Sequence, residues 1–436
     1  MQAVIMAGGR GTRIAKLNAK VPKPMVPIEG MPILEHQLCV LKRQGIQEII
    51  LAVGHLGYKI RDYFGDGSKA SPVTGEPFGV SIQYIEEKEP LGTAGALHYL
   101  RGKMTEDFLL VNGDIIFDVD IARFAGYHKE NAGLATIFTH PNGHPFDSGI
   151  IYADFKKRAT KWLHKEDART WYKNRVNAGL HLLSPKILQL PVLQELHKVD
   201  LDRDVLEPLI AEGGLMVYDS PEYVKDMGTP ERYYEVLADI RAGRVGSKNL
   251  SHKQKAIFLD RDGTLNKHVG FLRSPEELEL IEGAAEAVRE INHSGYLAIV
   301  ATNQPVIARG EVTEEGLELI HQKLETLLGR EGAYLDAVYY CPHHPDKGFE
   351  GEVEELKVIC HCRKPSPGML LRAAKDYNID LSESWMVGDS ENDVLAGKNA
   401  GCRTLLLEDA KGRKGDCRSL LEAVRMITGD MDMLHA

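Results

Sequence analysis

The apolar run Ala256-Ile257-Phe258-Leu259 passes without a break into Asp260-Arg261-Asp262-Gly263-Thr264. A short run of bulky apolar residues suits a parallel strand covered on both faces. Two carboxylates two residues apart then fall where that strand runs out. The carboxyl ends of parallel strands form the crevice in which open α/β sheets bind ligands. The pattern recurs downstream, with apolar runs at 297–301, 336–340, 385–387 and 404–407. Between them lie segments of helical spacing at about 283–294, 313–330, 368–377 and 420–427, such as Leu317, Ile320, Leu324 and Leu327. Alternating strands and helices, with Thr302-Asn303-Gln304 and Gly388-Asp389 at strand ends, predict a doubly wound parallel sheet.

A chain of 436 residues exceeds what one core usually holds, and two or three domains of about 100–200 residues are expected. The stretch 241–255 has Gly243, Gly246, Ser247, Asn249 and Ser251 among its lysines, and reads as a flexible, solvated linker. The expected division is a first domain at 1–243, a linker at 244–254 and a second domain at 255–436. The formal net charge of −10 disfavours nucleic acid and anionic membranes as partners. No apolar run approaches the roughly 18 residues of a membrane span, and the N-terminus lacks a secretory leader pattern. A cytoplasmic protein is expected, and a homo-oligomer is left open.

The first half opens on another short apolar strand, Gln2–Met6, which runs into Ala7-Gly8-Gly9-Arg10-Gly11-Thr12-Arg13. Three glycines let successive backbone amides approach a phosphate chain, and Arg10 and Arg13 add charge beside it. Pro22-Lys23-Pro24 then places a lysine between two residues that stiffen the backbone, as suits a lysine held against a leaving group.

With these motifs the first half, over about 1–242, resembles the sugar nucleotidyltransferases, which join a nucleoside triphosphate to a sugar 1-phosphate and release pyrophosphate. The resemblance implies a Rossmann-like, GT-A-like α/β domain. It implies that Gly8, Gly9, Gly11 and Thr12 bind the triphosphate, with Arg13 and Lys23 stabilising it and the departing pyrophosphate. Gly92, Thr93 and Gly95, in a second glycine turn expected to open a helix, would contact the base. Asn177 and Gly179 would hold the sugar, and Asp114 and Asp226 would hold Mg²⁺. The pair that grips the sugar phosphate is often Glu-Lys in the family. Here the nearest pair is Lys165-Glu166, in reverse order, which makes Lys165 the candidate. Two polyanions must meet in this reaction, so positioning and charge neutralisation carry it. Mg²⁺ takes one or two carboxylates plus phosphate oxygens, and the ionised attacking phosphate needs no general base.

The second half, over about 255–410, resembles the haloacid dehalogenase phosphatases through Asp-x-Asp-Gly-Thr, Thr302-Asn303, Lys364 and Gly388-Asp389-x-x-x-Asp393. By that resemblance Asp260 is the nucleophile, and Asp262 the acid and then the base. Thr302 and Lys364 would bind the transferring phosphoryl group, and Mg²⁺ would be held by Asp260, the Asp262 carbonyl and Asp389. Asn303, Arg309 and Arg363 would bind substrate. Half of the six cysteines lie in one segment, as Cys341-Pro342-His343 and Cys360-His361-Cys362, just before Arg363-Lys364-Pro365. Three cysteines and a histidine match a closed tetrahedral zinc site, read here as structural with Cys341, His343, Cys360 and Cys362 as ligands.

The zinc loop and Arg363-Lys364-Pro365 resemble those of the heptose bisphosphate phosphatases, with histidinol phosphatases close by. Pro305-Val306 stands where that subgroup usually has Ser-Gly, and Ser390 where a lysine is common. The first half resembles the heptose 1-phosphate guanylyltransferases, which favours GTP and heptose phosphates as substrates. The two halves would then catalyse consecutive steps towards a nucleotide-activated heptose for surface glycans. Two alternatives stay open. One is a mannose-type hexose 1-phosphate nucleotidyltransferase fused to a histidinol-phosphatase-like enzyme. The other is a transferase fused to a non-catalytic sugar-phosphate-binding module.

Overall fold

The computed structural model describes residues 1–9, 21–408 and 412–429. They form two compact units. The first comprises 1–140, 151–162 and 177–249, and the second 141–150, 163–176 and 250–436.

In the first unit the opening strand Ala3–Ala7 lies between Glu48–Val53 and Phe108–Asn112, parallel to both. Ser81–Glu86 extends the sheet on one side and Val176–Leu183, antiparallel, on the other. The opening strand is apolar throughout because both faces are covered. Ile5 packs with Leu34, Leu38 and Leu41 of the helix Ile33–Arg43. Val4 points the other way, to Leu97, Leu110 and Ile137. Each such side chain, fully buried, contributes about 1.5–3 kcal/mol. The turn at 91–95 leads into the 3-10 helix Gly95–Leu100. The closing helix spans Pro230–Arg241, with the Thr229 side chain accepting from Arg232 N.

The second unit contains a five-stranded parallel sheet in the order Ala337–Cys341, Tyr296–Asn303, Lys255–Leu259, Trp385–Gly388, Arg403–Leu406. The first strand in sequence is central, and the chain winds outward on one side before returning to the other. Ile257 and Leu259 enter one core, while Ala256 and Phe258 enter the opposite one. The reversal of strand order beside Lys255–Leu259 opens a crevice at its carboxyl end, where Asp260 begins. The helix Glu314–Arg330 carries the predicted apolar stripe, capped by Thr313, whose side chain accepts from Gly316 N. Segment 163–176 belongs to this unit, and its buried Arg175 pairs with Glu325 of that helix at 3.3 Å.

The junction is less solvated than its composition suggests. Arg244–Ser247 form a helical turn, Lys248 and Asn249 are buried, and Asn249 Nδ2 donates to Asp118 Oδ1 at 2.7 Å. Gln254 is buried again, donating its amide to Asn378 O. Within 244–254 the exposed residues are Ser247 and Ser251-His252-Lys253. Glycine and serine content reports backbone freedom, but not the need of the buried Asp118 carboxylate for donors.

Candidate active sites

In the second unit, Asp260, Thr302, Lys364 and Asp389 line one cavity. They come from the ends of three neighbouring strands and from the loop ahead of the helix Gly368–Asp376. Lys364 Nζ lies 2.8 Å from Asp260 Oδ1 and 2.5 Å from Asp393 Oδ1, with its side chain 2% exposed. Burial works against the Lys364 ammonium, but Asp260 and Asp393 outweigh it and raise its pKa. Burial pushes the Asp260 carboxyl up, opposed by Lys364. Leaving either member of such a buried pair alone costs about 3–5 kcal/mol, which accounts for the second carboxylate, Asp393. Asn303 fixes the lysine by a reciprocal pair of bonds. Its Oδ1 accepts from Lys364 N at 2.9 Å and its Nδ2 donates to Lys364 O at 3.1 Å.

Carboxylate oxygens of Asp260, Asp389 and Asp393 lie within 4.8 Å of one another. Gly263 makes this approach feasible. It has φ +87°, and a Cβ there would fall 2.0 Å from Asp389 Oδ2. Three clustered carboxylates against one lysine form an oxygen-rich, net negative set that suits Mg²⁺.

Asp262 sits in a frame of donors. Arg261 Nη2 donates to its Oδ2 at 2.8 Å, Gln304 Nε2 to the same oxygen at 2.8 Å, and Asn266 Nδ2 to Oδ1 at 3.0 Å. Arg261 is wholly buried and also donates to Gln304 Oε1 at 2.9 Å and to His321 Nε2 at 3.2 Å. Burial alone would raise the Asp262 carboxyl, but the Arg261 guanidinium and these bonds hold it below the usual carboxylate range. Burial also drives His321 well below its ordinary value, so it meets Arg261 as a neutral acceptor. Sequence reasoning passed over Arg261, Gln304, His321 and the pairing role of Asp393. The available signal was an arginine between two motif aspartates, a position that places its side chain against a buried carboxylate.

The cysteines and histidine singled out from sequence converge. Cys341 Sγ lies 3.5 Å from Cys360 Sγ and 3.2 Å from Cys362 Sγ, and His343 Nδ1 lies 3.3 Å from Cys362 Sγ. No disulfide joins them. Metal–sulfur bonds of about 2.3 Å in a tetrahedron set ligands roughly 3.8 Å apart, so the four atoms fit a closed zinc site with slight expansion.

In the first unit a second cavity is lined by Gly8, Gly9, Lys23, Glu87, Gly92, Thr93, Asn112 and Asp114. Lys23, on the 3-10 turn Lys23–Met25, is ion-paired with Asp114. Asp226 ends the strand Tyr223–Asp226, which pairs antiparallel with Ile115–Asp118, and Met227 N donates to Asp114 O at 2.8 Å. The two aspartates are therefore neighbours. The Asp226 carboxylate accepts two bonds from Arg232 Nη1, at 2.8 and 2.7 Å, and is not among the cavity-lining residues. Gly179 has φ +75°, its N donates to Asn177 Oδ1 at 2.9 Å, and a Cβ there would meet Asn112 Nδ2 at 2.7 Å. That contact sets the Asn177–Gly179 turn against the cavity edge. Gly95 is a packing glycine, since a Cβ would fall 2.7 Å from His197 O.

Glu87 was not singled out from sequence. Its side chain stands behind the glycine turn, and a Cβ on Gly8 would come within 2.9 Å of its Oε2. Burial pushes its carboxyl up, opposed by a bond from the Leu91 backbone. The remaining candidates fall as follows. Arg363 lines the cavity of the second unit, and its Nη1 donates to His343 O at 3.2 Å. Arg309 is not among that cavity's lining residues. Lys165 lies exposed in segment 163–176 of the second unit. Arg10, Gly11, Thr12 and Arg13 lie outside the described residues.

Comparison with known proteins matches residues 2–243 to the nucleotidyl transferase family and residues 361–430 to the HAD-hydrolase-like family. The chain is 43% identical over 152 residues to the D-glycero-beta-D-manno-heptose-1,7-bisphosphate 7-phosphatase of Salmonella typhi, covering 35% of this chain and 79% of that protein. It is 32% identical over 266 residues to the mannose-1-phosphate guanylyltransferase of Mycobacterium tuberculosis, covering 60% of this chain and 70% of that protein. The crystal structure of HddC from Yersinia pseudotuberculosis is similar at 26% identity and a TM-score of 0.47, over 55% of this chain and 99% of that one.

Proposed function

The chain belongs to the nucleotidyl transferase family and joins to that enzyme a phosphatase of the heptose bisphosphate type, and on that footing we propose that it catalyses two consecutive steps. The second half removes the 7-phosphate of D-glycero-D-manno-heptose 1,7-bisphosphate. The first half transfers GMP from GTP to the resulting heptose 1-phosphate, giving GDP-heptose for surface glycans and releasing pyrophosphate. The observation that carries this reading is the presence in one chain of a phosphatase set and a nucleotidyltransferase set whose product and substrate coincide.

In the phosphatase, an Asp260 oxygen bonds to phosphorus as the bond from phosphorus to the sugar oxygen breaks, and that oxygen takes its proton from Asp262, which must first take one up because Arg261 favours its ionised form. Asp262 then accepts a proton from water, whose oxygen attacks the aspartyl phosphate. Lys364 and Thr302 hold the phosphoryl oxygens. Asp260, Asp389 and the Asp262 carbonyl would hold Mg²⁺, which would supply charge neutralisation for the phosphoryl group. In the transferase, Lys23 and Arg13 would neutralise the triphosphate, and Asp114 and Asp226, the latter once released from Arg232, would hold Mg²⁺. Cys341, His343, Cys360 and Cys362 would hold a structural zinc ion. Metal analysis of purified protein should find about one zinc per chain, lost when Cys360 and Cys362 are both replaced by serine.

Glu87 supports guanine as the base. An ionised carboxylate only accepts hydrogen bonds, and guanine presents two adjacent donors, N1–H and the 2-amino group. Uracil and thymine flank one N–H with two carbonyls, which repel a carboxylate. Heptose 1,7-bisphosphate should be offered with GTP, ATP, CTP and UTP separately, following phosphate, pyrophosphate and nucleotide-sugar. Nucleotide-heptose is expected with GTP. Failure with all four nucleotides would remove the pathway reading. In the same assay Glu87→Gln should lower GTP use by about a hundredfold and raise UTP use relative to it, because an amide can serve both a donor and an acceptor. Mannose 1-phosphate belongs in the panel as acceptor, since similarity to a mannose-1-phosphate guanylyltransferase favours a hexose as the competing substrate.

A further inference from the structure

The Arg309 guanidinium lies between two aromatic rings, 4.1 Å from the centroid of Phe271 and 4.2 Å from that of Phe349. Lys357 Nζ lies 4.5 Å from the Phe349 centroid, with its side chain fully buried and Glu352 at 3.4 Å. Ring and cation therefore alternate through four residues, each cation held by a carboxylate. Arg309 Nε is 2.7 Å from Glu311, which also pairs with Arg273 at 2.7 Å.

The stack joins three segments that sequence keeps apart. Phe271, with Gly270 and Leu272, forms one wall of the phosphatase cavity. Arg309 lies in the loop after Tyr296–Asn303. Phe349 and Lys357 lie in the loop between the two metal-ligand pairs. The last two segments are also joined through backbone, with Ala308 N donating to Pro342 O at 3.2 Å and Val353 N to Ala308 O at 3.0 Å. A Cβ on Gly310 would fall 1.9 Å from Gly351 O, so the two loops touch directly. The wall at 270–272 has no such backbone tie to the metal loop among the described residues. Its connection runs through the Phe271 ring and the neighbouring Arg273–Glu311 ion pair.

We propose that Arg309 is a positioning residue of the phosphatase, clamping the wall at 270–272 to the metal-ligand loop so that the cavity fits the leaving group rather than the phosphoryl group. The proposal rests on the reading of this cavity as a sugar-phosphate phosphatase site. Asp260, Thr302 and Lys364 serve the phosphoryl group whatever it is attached to. Phe271, 38% exposed, offers apolar surface to the carbon skeleton of the sugar, while Leu272 anchors the wall in the core. A planar guanidinium can stack on both of its faces, whereas an ammonium at the same position cannot.

The test uses the full chain with Arg309→Lys, Phe271→Ala and the double variant. Substrates are heptose 1,7-bisphosphate and acetyl phosphate, whose leaving group is small. Arg309→Lys should raise KM for the heptose bisphosphate about tenfold with kcat held within about twofold, and leave acetyl phosphate turnover within about twofold. Amides at 267–273 should exchange hydrogen faster, and the double variant should be no worse than Phe271→Ala alone. Equal losses on both substrates, additive effects of the two substitutions, or unchanged exchange at 267–273 would each overturn the proposal. Should the wild type ignore the heptose bisphosphate while cleaving acetyl phosphate, the substrate reading fails by itself. The exchange measurement then still decides whether Arg309 holds the wall.

Discussion

Replacing Asp260 with asparagine should lower phosphate release by about 10⁴-fold or more and leave nucleotidyl transfer from GTP to heptose 1-phosphate at the wild-type rate. The amide keeps the size of the carboxylate and its place at the end of Lys255–Leu259, but it has no charged oxygen to attack phosphorus. Lys364 retains Asp393 at 2.5 Å, so its buried ammonium keeps a partner and the fold is expected to survive. Phosphate release, pyrophosphate release and the thermal midpoint, measured on one preparation, check this. Loss of both activities with an unchanged midpoint would count against two independent sites.

The reciprocal substitution is Asp114→Asn. It should lower pyrophosphate release by about 10²–10³-fold and leave phosphate release from the bisphosphate unchanged. Asp114 faces the cavity beside Lys23 and next to Gly113. A triphosphate entering there brings several negative charges, and the site must neutralise more than Lys23 can alone. An asparagine fills the same space but binds a divalent cation weakly. Unaltered transfer by this variant would exclude Asp114 from metal binding and leave Asp226, now held by Arg232, as the carboxylate to examine.

The α/β architecture was legible because its signals are local. Ala256–Leu259 reads as a doubly covered strand, and the structure buries alternate residues in opposite cores. The stripe through Leu317, Ile320 and Leu324 reads as a helix face, and those residues are fully buried on Glu314–Arg330. The junction is less solvated than its composition suggests because Asn249 is bonded to Asp118, a partner far away in sequence. In the phosphatase cavity, Asp260, Thr302, Lys364 and Asp389 were identifiable because strand ends and their adjoining loops concentrate there. The surroundings of Arg309 were not legible from pattern alone, because the two aromatic residues against it come from distant loops.

By itself the sequence determined the two sheets, the glycine turn and the strand-end carboxylates, since periodicity and motif spacing act over a few residues. It also determined which four side chains have the donor chemistry of a zinc site. Only the tertiary structure decided that those four meet, that Asp393 shares Lys364 with Asp260, and that Arg261, Gln304 and His321 frame Asp262. It also decided that Glu87 stands behind Gly8, and that the Arg309 guanidinium lies against the Phe271 and Phe349 rings. Each of these depends on the charge, burial and packing of residues brought together by the fold, and a buried charge has no defined role until its partners are in place.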